Sequence, residues 1–331
     1  EIASCLVGSE MCIRDRKDRV SMYRIGIAGA GAMGGRIGVS IKEAGYDVTL
    51  IDNWEAHVKR INTDGMNIKT ETDNYSVNIP AVLTKDVSTE FDLIIILTKA
   101  MHSEAMLQQL QEAGCIHQNT AIMSMMNGLG HEERLSQIVP LSQIYLAVTM
   151  WTAGLRGPGQ LLLEGEGSIY LQSADGETDD HTHAILQILN DANLNAQISN
   201  NVFEAIWSKA TLNSVLNPLC TILNKTIYEF GNHPDSSEMV MPIIEEIVAV
   251  AKAKGIHLDS HALLKKVEAA YPKEAQGLHY PSMHQDYTNG RLTEIDYLNG
   301  QIAAYGKTFN IPTPINAMLT HLVHQLESKL Q

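Results

Sequence analysis

Short apolar runs and polar, helix-like stretches alternate along the first two-thirds of the 331-residue chain. Tyr-Arg-Ile-Gly-Ile-Ala over residues 23–28 is a short apolar strand, followed by Gly29-Ala-Gly31-Ala-Met-Gly34. A helical stretch then runs to about Ala44, where Gly45 suits a C-terminal cap. Residues 47–51 form a second strand rich in β-branched residues, and further aliphatic strands are predicted over 93–98, 121–125 and 144–149. Strands alternating with helices at this spacing predict an α/β fold, a Rossmann-type doubly wound, mainly parallel sheet. Segments 67–70 and 75–79 read as a hairpin-like excursion, 154–159 as a turn, and 161–164 and 168–171 as late strands of the same domain. Beyond about Asn200 the strand signal disappears. Residues 202–216, 241–254, 260–270, 294–305 and 314–330 read as helices punctuated by Pro and Gly. The expected organisation is an α/β domain over 22–199 followed by an all-helical domain over 200–331. With no flexible linker between them, a ligand-holding cleft is expected where they join.

Residues 1–21 follow neither period. The string from Val7 to Arg16 resembles the in-frame translation of a sequencing adapter. Residues 1–21 are therefore expected to be a non-native leader, with the native chain starting at Met22. Composition adds exclusions. With 24 Lys+Arg against 38 Asp+Glu, the net charge of −14 speaks against a non-specific nucleic-acid or anionic-membrane binder. No aliphatic run approaches the ~20 residues that span a bilayer. Four Cys form no disulfide framework or metal-ligand spacing, and two of them, Cys5 and Cys12, lie in the leader. A cytoplasmic protein with no bound metal is the expectation.

The glycine loop sits where its physics requires, after a strand and opening a helix. Gly29 permits the tight turn, Gly31 admits a pyrophosphate against the backbone, and Gly34 packs helix on strand. Ala32 and Met33 complete the loop at a helix N-terminus that offers free N–H groups. Asp52 ends the second strand 18 residues after Gly34, near the offset of an acid that binds a ribose diol. Against a 2′-phosphate the same carboxylate would face a like charge, a penalty of about 1–4 kcal/mol at a few Å in water or a partly exposed site. NAD(H) is therefore favoured over NADP(H), which stays the alternative.

Further along, Lys209, Asn213 and Asn217 stand at i, i+4 and i+8 of one predicted helix, on a single face. Apolar neighbours around this stripe place it in a site rather than in solvent. Together with Thr98-Lys99-Ala100, Met126-Asn127-Gly128, Pro281-Ser282-Met283 and Arg291-Leu-Thr-Glu294-Ile-Asp-Tyr-Leu-Asn-Gly300, the stripe is similar to the ketopantoate reductase (2-dehydropantoate 2-reductase) family from Met22 onward. The resemblance implies reduction of a 2-oxo acid to the D (R) 2-hydroxy acid, with Lys209 as general acid and Glu294 holding it or the nascent hydroxyl. It implies that Asn213, Asn217 and Ser282 hydrogen-bond the substrate, and that Lys99 and Asn127 contact cofactor and cleft.

Two positions depart from the family's biosynthetic members. Asp52 stands where they carry a basic residue, and His279 stands three residues before Ser282, where they carry a substrate-binding Asn. Both departures resemble the NAD-dependent D-2-hydroxyacid (D-mandelate type) dehydrogenases. A branched or aromatic 2-oxo acid is the expected substrate, with His279 lining its pocket and a homodimer as the expected assembly. The alternatives are 2-dehydropantoate 2-reductase proper and a non-catalytic NAD(H) sensor. The sensor has no use for Lys209, Asn213, Asn217, Ser282 and Glu294 together.

Overall fold

The computed structural model describes Val20 and residues 22–330. The expected leader lies outside the described residues, except for Val20, which is buried in the core. Contacts divide the described residues into two compact units: those up to 126 with 131–202, and 127–130 with those from 203 onward.

Among its described residues the first unit holds twelve strands: β1 (Arg24–Ala28), β2 (Asp47–Asp52), β3 (Met66–Lys69), β4 (Asn74–Val77), β5 (Ala81–Leu83), β6 (Leu93–Ile96), β7 (Ala121–Ser124), β8 (Ile144–Thr149), β9 (Thr152–Gly157), β10 (Gln160–Glu164), β11 (Ile169–Ser173) and β12 (Ala196–Ile198). Its helices are α1 (Ala32–Glu43), α2 (Glu55–Asp64), α3 (Ser103–Glu112), α4 (His131–Leu135) and α5 (Asp180–Asp191). The main sheet has the order β12-β11-β8-β7-β6-β1-β2-β5. From β8 to β5 every pairing is parallel, and β11 joins β8 antiparallel. Fully buried strands such as Leu-Ile-Ile-Ile of β6 are continuous apolar runs because helices cover a parallel sheet. Strand order reverses between β1 and β6, so the carboxyl ends of these two strands mark the switch point where ligands bind in such sheets.

The expected hairpin forms as β3 and β4, but in a second sheet of order β4-β3-β10-β9. The two late strands therefore part company: β10 joins the small sheet and β11 the main one. The turn expected over 154–159 is mostly strand. Residues up to Gly157 belong to β9, and only Pro158 and Gly159 turn the chain into β10.

The second unit is helical among its described residues: α6 (Val202–Leu223), α7 (Ile227–Gly231), α8 (Ser236–Ala253), α9 (Ser260–Glu268), α10 (Ser282–Thr288), α11 (Asn299–Phe309) and α12 (Pro314–Glu327). Two expectations shift here. Helix α6 does not stop at Leu216 but passes through Pro218 to Leu223. The helix expected over 294–305 is a single turn, Ile295–Tyr297, then a break at Leu298, and α11 only from Asn299. Two cores result, one around the main sheet and one around α6, α8, α11 and α12. No described helix is long and apolar enough to cross a membrane.

Candidate active site

The glycine loop is built by close backbone approach. Gly29 has φ +97°, and a Cβ there would lie 2.6 Å from the backbone nitrogen of Thr98. The loop after β1 thus rests on the loop after β6, next to Lys99. A Cβ on Gly34 would lie 1.8 Å from Gly29 O, so helix and turn touch through the missing side chain. At Gly31, by contrast, a Cβ would meet nothing within 4 Å. That open space at the N-terminus of α1, whose N-cap has no side-chain hydrogen bond, fits a pyrophosphate.

Asp52 is half-buried at the end of β2. Its Oδ2 accepts from the Ala30 N–H at 2.7 Å and its Oδ1 from the Trp54 N–H at 2.9 Å. A carboxylate has about four acceptor sites, so two are left for a vicinal diol. Of the basic pair Lys59 and Arg60 that follows Asp52, on α2, Arg60 pairs with Asp64 at 2.6 Å.

One supporting residue escaped the sequence reading. His57 is fully buried; its Nδ1 accepts from the Gly159 N–H at 2.9 Å, so its Nε2–H donates to Ala30 O at 2.9 Å. The neutral imidazole ties the glycine loop to the β9–β10 turn. The available signal was its position beside Val58 and Ile61 on the inward face of α2. Arg36, also buried, spans α1 and the same sheet: its Nη1 donates to Thr152 O and Glu164 O, and its guanidinium lies 4.1 Å from the Trp151 ring centre.

In the second unit, Lys209, Asn213 and Asn217 share α6. Asn217 is buried, while Lys209 and Asn213 are half-buried. The stripe is therefore not a solvated face. Desolvation lowers the Lys209 pKa to about 8, and the Glu294 carboxylate acts in the opposite direction without restoring it. Glu294 is buried in the turn before α11, not at the start of a long helix. That turn is held on both sides. Arg291 donates to the buried Asp286 carboxylate through Nε at 3.0 Å and Nη2 at 2.8 Å, and the Thr293 N–H donates to Glu327 Oε1 at 2.6 Å.

Asn127 belongs to the short segment packed with this unit. The Leu129 N–H donates to Tyr297 O at 2.9 Å, and a Cβ on Gly128 would lie 2.6 Å from the same oxygen. Ser282 opens α10 and is exposed, as is His279, whose carbonyl accepts from the Ile227 N–H at 3.2 Å. The structure thus joins the glycine loop with Asp52, and Lys209 with Glu294. Among the described residues no cluster of three or more His, Cys, Asp or Glu has metal-binding geometry. His181 and His183 lie on α5, whose start is capped by Asp179.

A family model described as ketopantoate reductase PanE/ApbA matches residues 25–176, and its C-terminal counterpart matches residues 201–327. A 2-dehydropantoate 2-reductase of Lactococcus lactis is 40% identical over 311 residues, 93% of this chain and 99% of that relative. One from Streptococcus pyogenes serotype M18 is 42% identical over 305 residues, 92% of this chain and 98% of that relative. Among solved structures, D-mandelate dehydrogenase with NADH and anilino(oxo)acetate is 41% identical with a TM-score of 0.89, covering 93% of this chain and 99% of its own. The chain belongs to the ketopantoate reductase family, whose members are NAD(P)-dependent oxidoreductases acting on CH–OH groups.

Proposed function

We propose that this protein reduces a branched or aromatic 2-oxo acid to the D (R) 2-hydroxy acid with NADH. The observation that carries the reading is Lys209, a lysine held at a lowered pKa by desolvation and facing a buried carboxylate. When bound, the reduced nicotinamide supplies a hydride to the keto carbon. The Lys209 ammonium donates a hydrogen bond to the keto oxygen and transfers its proton there as charge develops. Glu294 keeps that ammonium oriented. Asn213, Asn217 and Ser282 bind the substrate's oxygens, and His279 lines the side-chain pocket. Gly29, Gly31, Ala32, Met33 and Gly34 cradle the pyrophosphate, Asp52 takes the ribose diol, and Lys99 and Asn127 contact cofactor and cleft.

The preference for NADH rests on Asp52, whose free acceptor sites suit two hydroxyls and repel a phosphate. The NADH-bound D-mandelate dehydrogenase, at 41% identity, supports the same choice. A second reading, 2-dehydropantoate 2-reductase proper, is favoured by the curated relatives at 40–42% identity.

Absorbance at 340 nm separates these readings, using NADH and NADPH with phenylglyoxylate, 2-oxoisocaproate and ketopantoate. We expect kcat/KM at least tenfold higher with NADH, in line with a like-charge penalty of about 1–4 kcal/mol, and turnover of the first two acids. Fast NADPH-dependent turnover of ketopantoate alone would establish the second reading. No turnover with any pair would leave a sensor.

A further inference from the structure

Helix α6 carries an internal proline at 218. In an α-helix the N–H of residue i bonds the carbonyl of residue i−4, so Pro218 leaves the Ser214 carbonyl without its helical donor. Ser214 is fully buried, where water offers no replacement and an unpaired carbonyl is costly. The replacement comes from another helix. The side-chain amide of Asn299, the first residue of α11 and itself fully buried, donates to Ser214 O at 2.9 Å.

The direction of that amide is fixed from the far end of a chain of side chains. Glu246 on α8 accepts from the backbone N–H groups of Ile315 and Asn316, both at 2.9 Å, and from Asn316 Nδ2 at 2.7 Å. A carboxylate only accepts, so Asn316 turns its N–H groups toward Glu246 and its Oδ1 toward Asn299. Asn299 Nδ2 donates to that Oδ1 at 3.0 Å, and its other N–H is left for Ser214 O. Asn299 Oδ1 has no hydrogen-bond partner among the described residues. What the site retains is the donor.

We infer that Asn299 is a positioning residue: its amide replaces the N–H that Pro218 removes and thereby sets where Asn213 and Asn217 stand along α6. This rests on reading α6 as the substrate helix. It predicts coupling between Asn299 and Pro218, because Pro218→Ala returns the missing N–H and makes the amide redundant.

The test is a double-mutant cycle read in catalysis and in melting temperature. Asn299→Ala is expected to lower kcat/KM for the 2-oxo acid about tenfold or more, mainly through KM, while the NADH dissociation constant stays within about twofold. In the Pro218→Ala background the same change is expected to cost about threefold or less, and its Tm penalty to shrink by about 3 °C. Should Asn299→Ala alone not fold, the double variant is expected to. Equal losses in both backgrounds, or failure of both to fold, would overturn the inference. Coupling in Tm without any effect on KM would overturn the positioning role. If Lys209→Ala were then equally silent, the choice of α6 as substrate helix would be what had failed.

Discussion

Lys209 shows how one residue is given a task by its surroundings. Burial removes water from its ammonium and lowers its pKa to about 8, while Glu294 stabilises the charged form and limits the fall. Reduction needs the ammonium, so its rate is expected to fall as pH rises through about 8. Oxidation of the 2-hydroxy acid needs the free amine and is expected to rise over the same range. Lys209→Ala should lower kcat at least ~10²-fold and flatten both limbs, with NADH still bound. The linkage to stability has its own sign. Between about 8 and the ordinary lysine value of 10.5 the unfolded chain holds the proton that the folded one has lost, so stability gains from rising pH there. Lys209→Met should therefore raise Tm at pH 7, with an advantage that shrinks between pH 8 and 10.5. Calorimetry of the two proteins across that range checks it. The lysine itself was legible from its spacing to Asn213 and Asn217. How far burial lowers its pKa was not, because desolvation depends on neighbours from distant segments.

The glycine loop makes a sharper case at the scale of an element. Gly31 and Gly34 look alike in the motif, yet their surroundings differ. A Cβ at Gly34 collides with Gly29 O, whereas one at Gly31 enters open space. Gly34→Ala is expected to impair folding. Gly31→Ala should fold with a near-native Tm but bind NADH at least about tenfold more weakly, as its methyl occupies the pyrophosphate's place. A Gly31→Ala protein with undiminished NADH affinity in a fluorescence titration would displace the cofactor from this loop. Long or strongly apolar elements, such as β1, β6, β8 and α12, were readable from their periods. Strands β5 and β12, three residues each, are too short to carry one. Strand β9 was masked by Gly154 and Gly157, which read as a turn but fit an edge strand. Helix α6 outran its expected end because a buried helix can keep a proline when another side chain supplies the lost hydrogen bond.

For the whole molecule, the net charge of −14 means that on the proposed function anions are held by local groups: helix N–H groups at the glycine loop and the cations Lys99 and Lys209. Saturating NADH should stabilise the folded chain by about 2.7 kcal/mol at a hundredfold excess over its Kd, raising Tm by roughly 4 °C. NADPH at the same concentration should give less than half that shift in differential scanning fluorimetry, and an equal shift would remove Asp52 as the selector. The sequence by itself determined the fold class, the glycine loop and its acid, and the family, since these rest on local periodicity and on short motifs whose chemistry travels with the residues. Only the tertiary structure decided that His57 braces the loop, that Glu294 sits in a pinned turn, and that Asn299 completes α6 across Pro218. Those roles are contacts between residues far apart in the chain, and nothing local in the sequence encodes which buried donor will meet which orphaned acceptor.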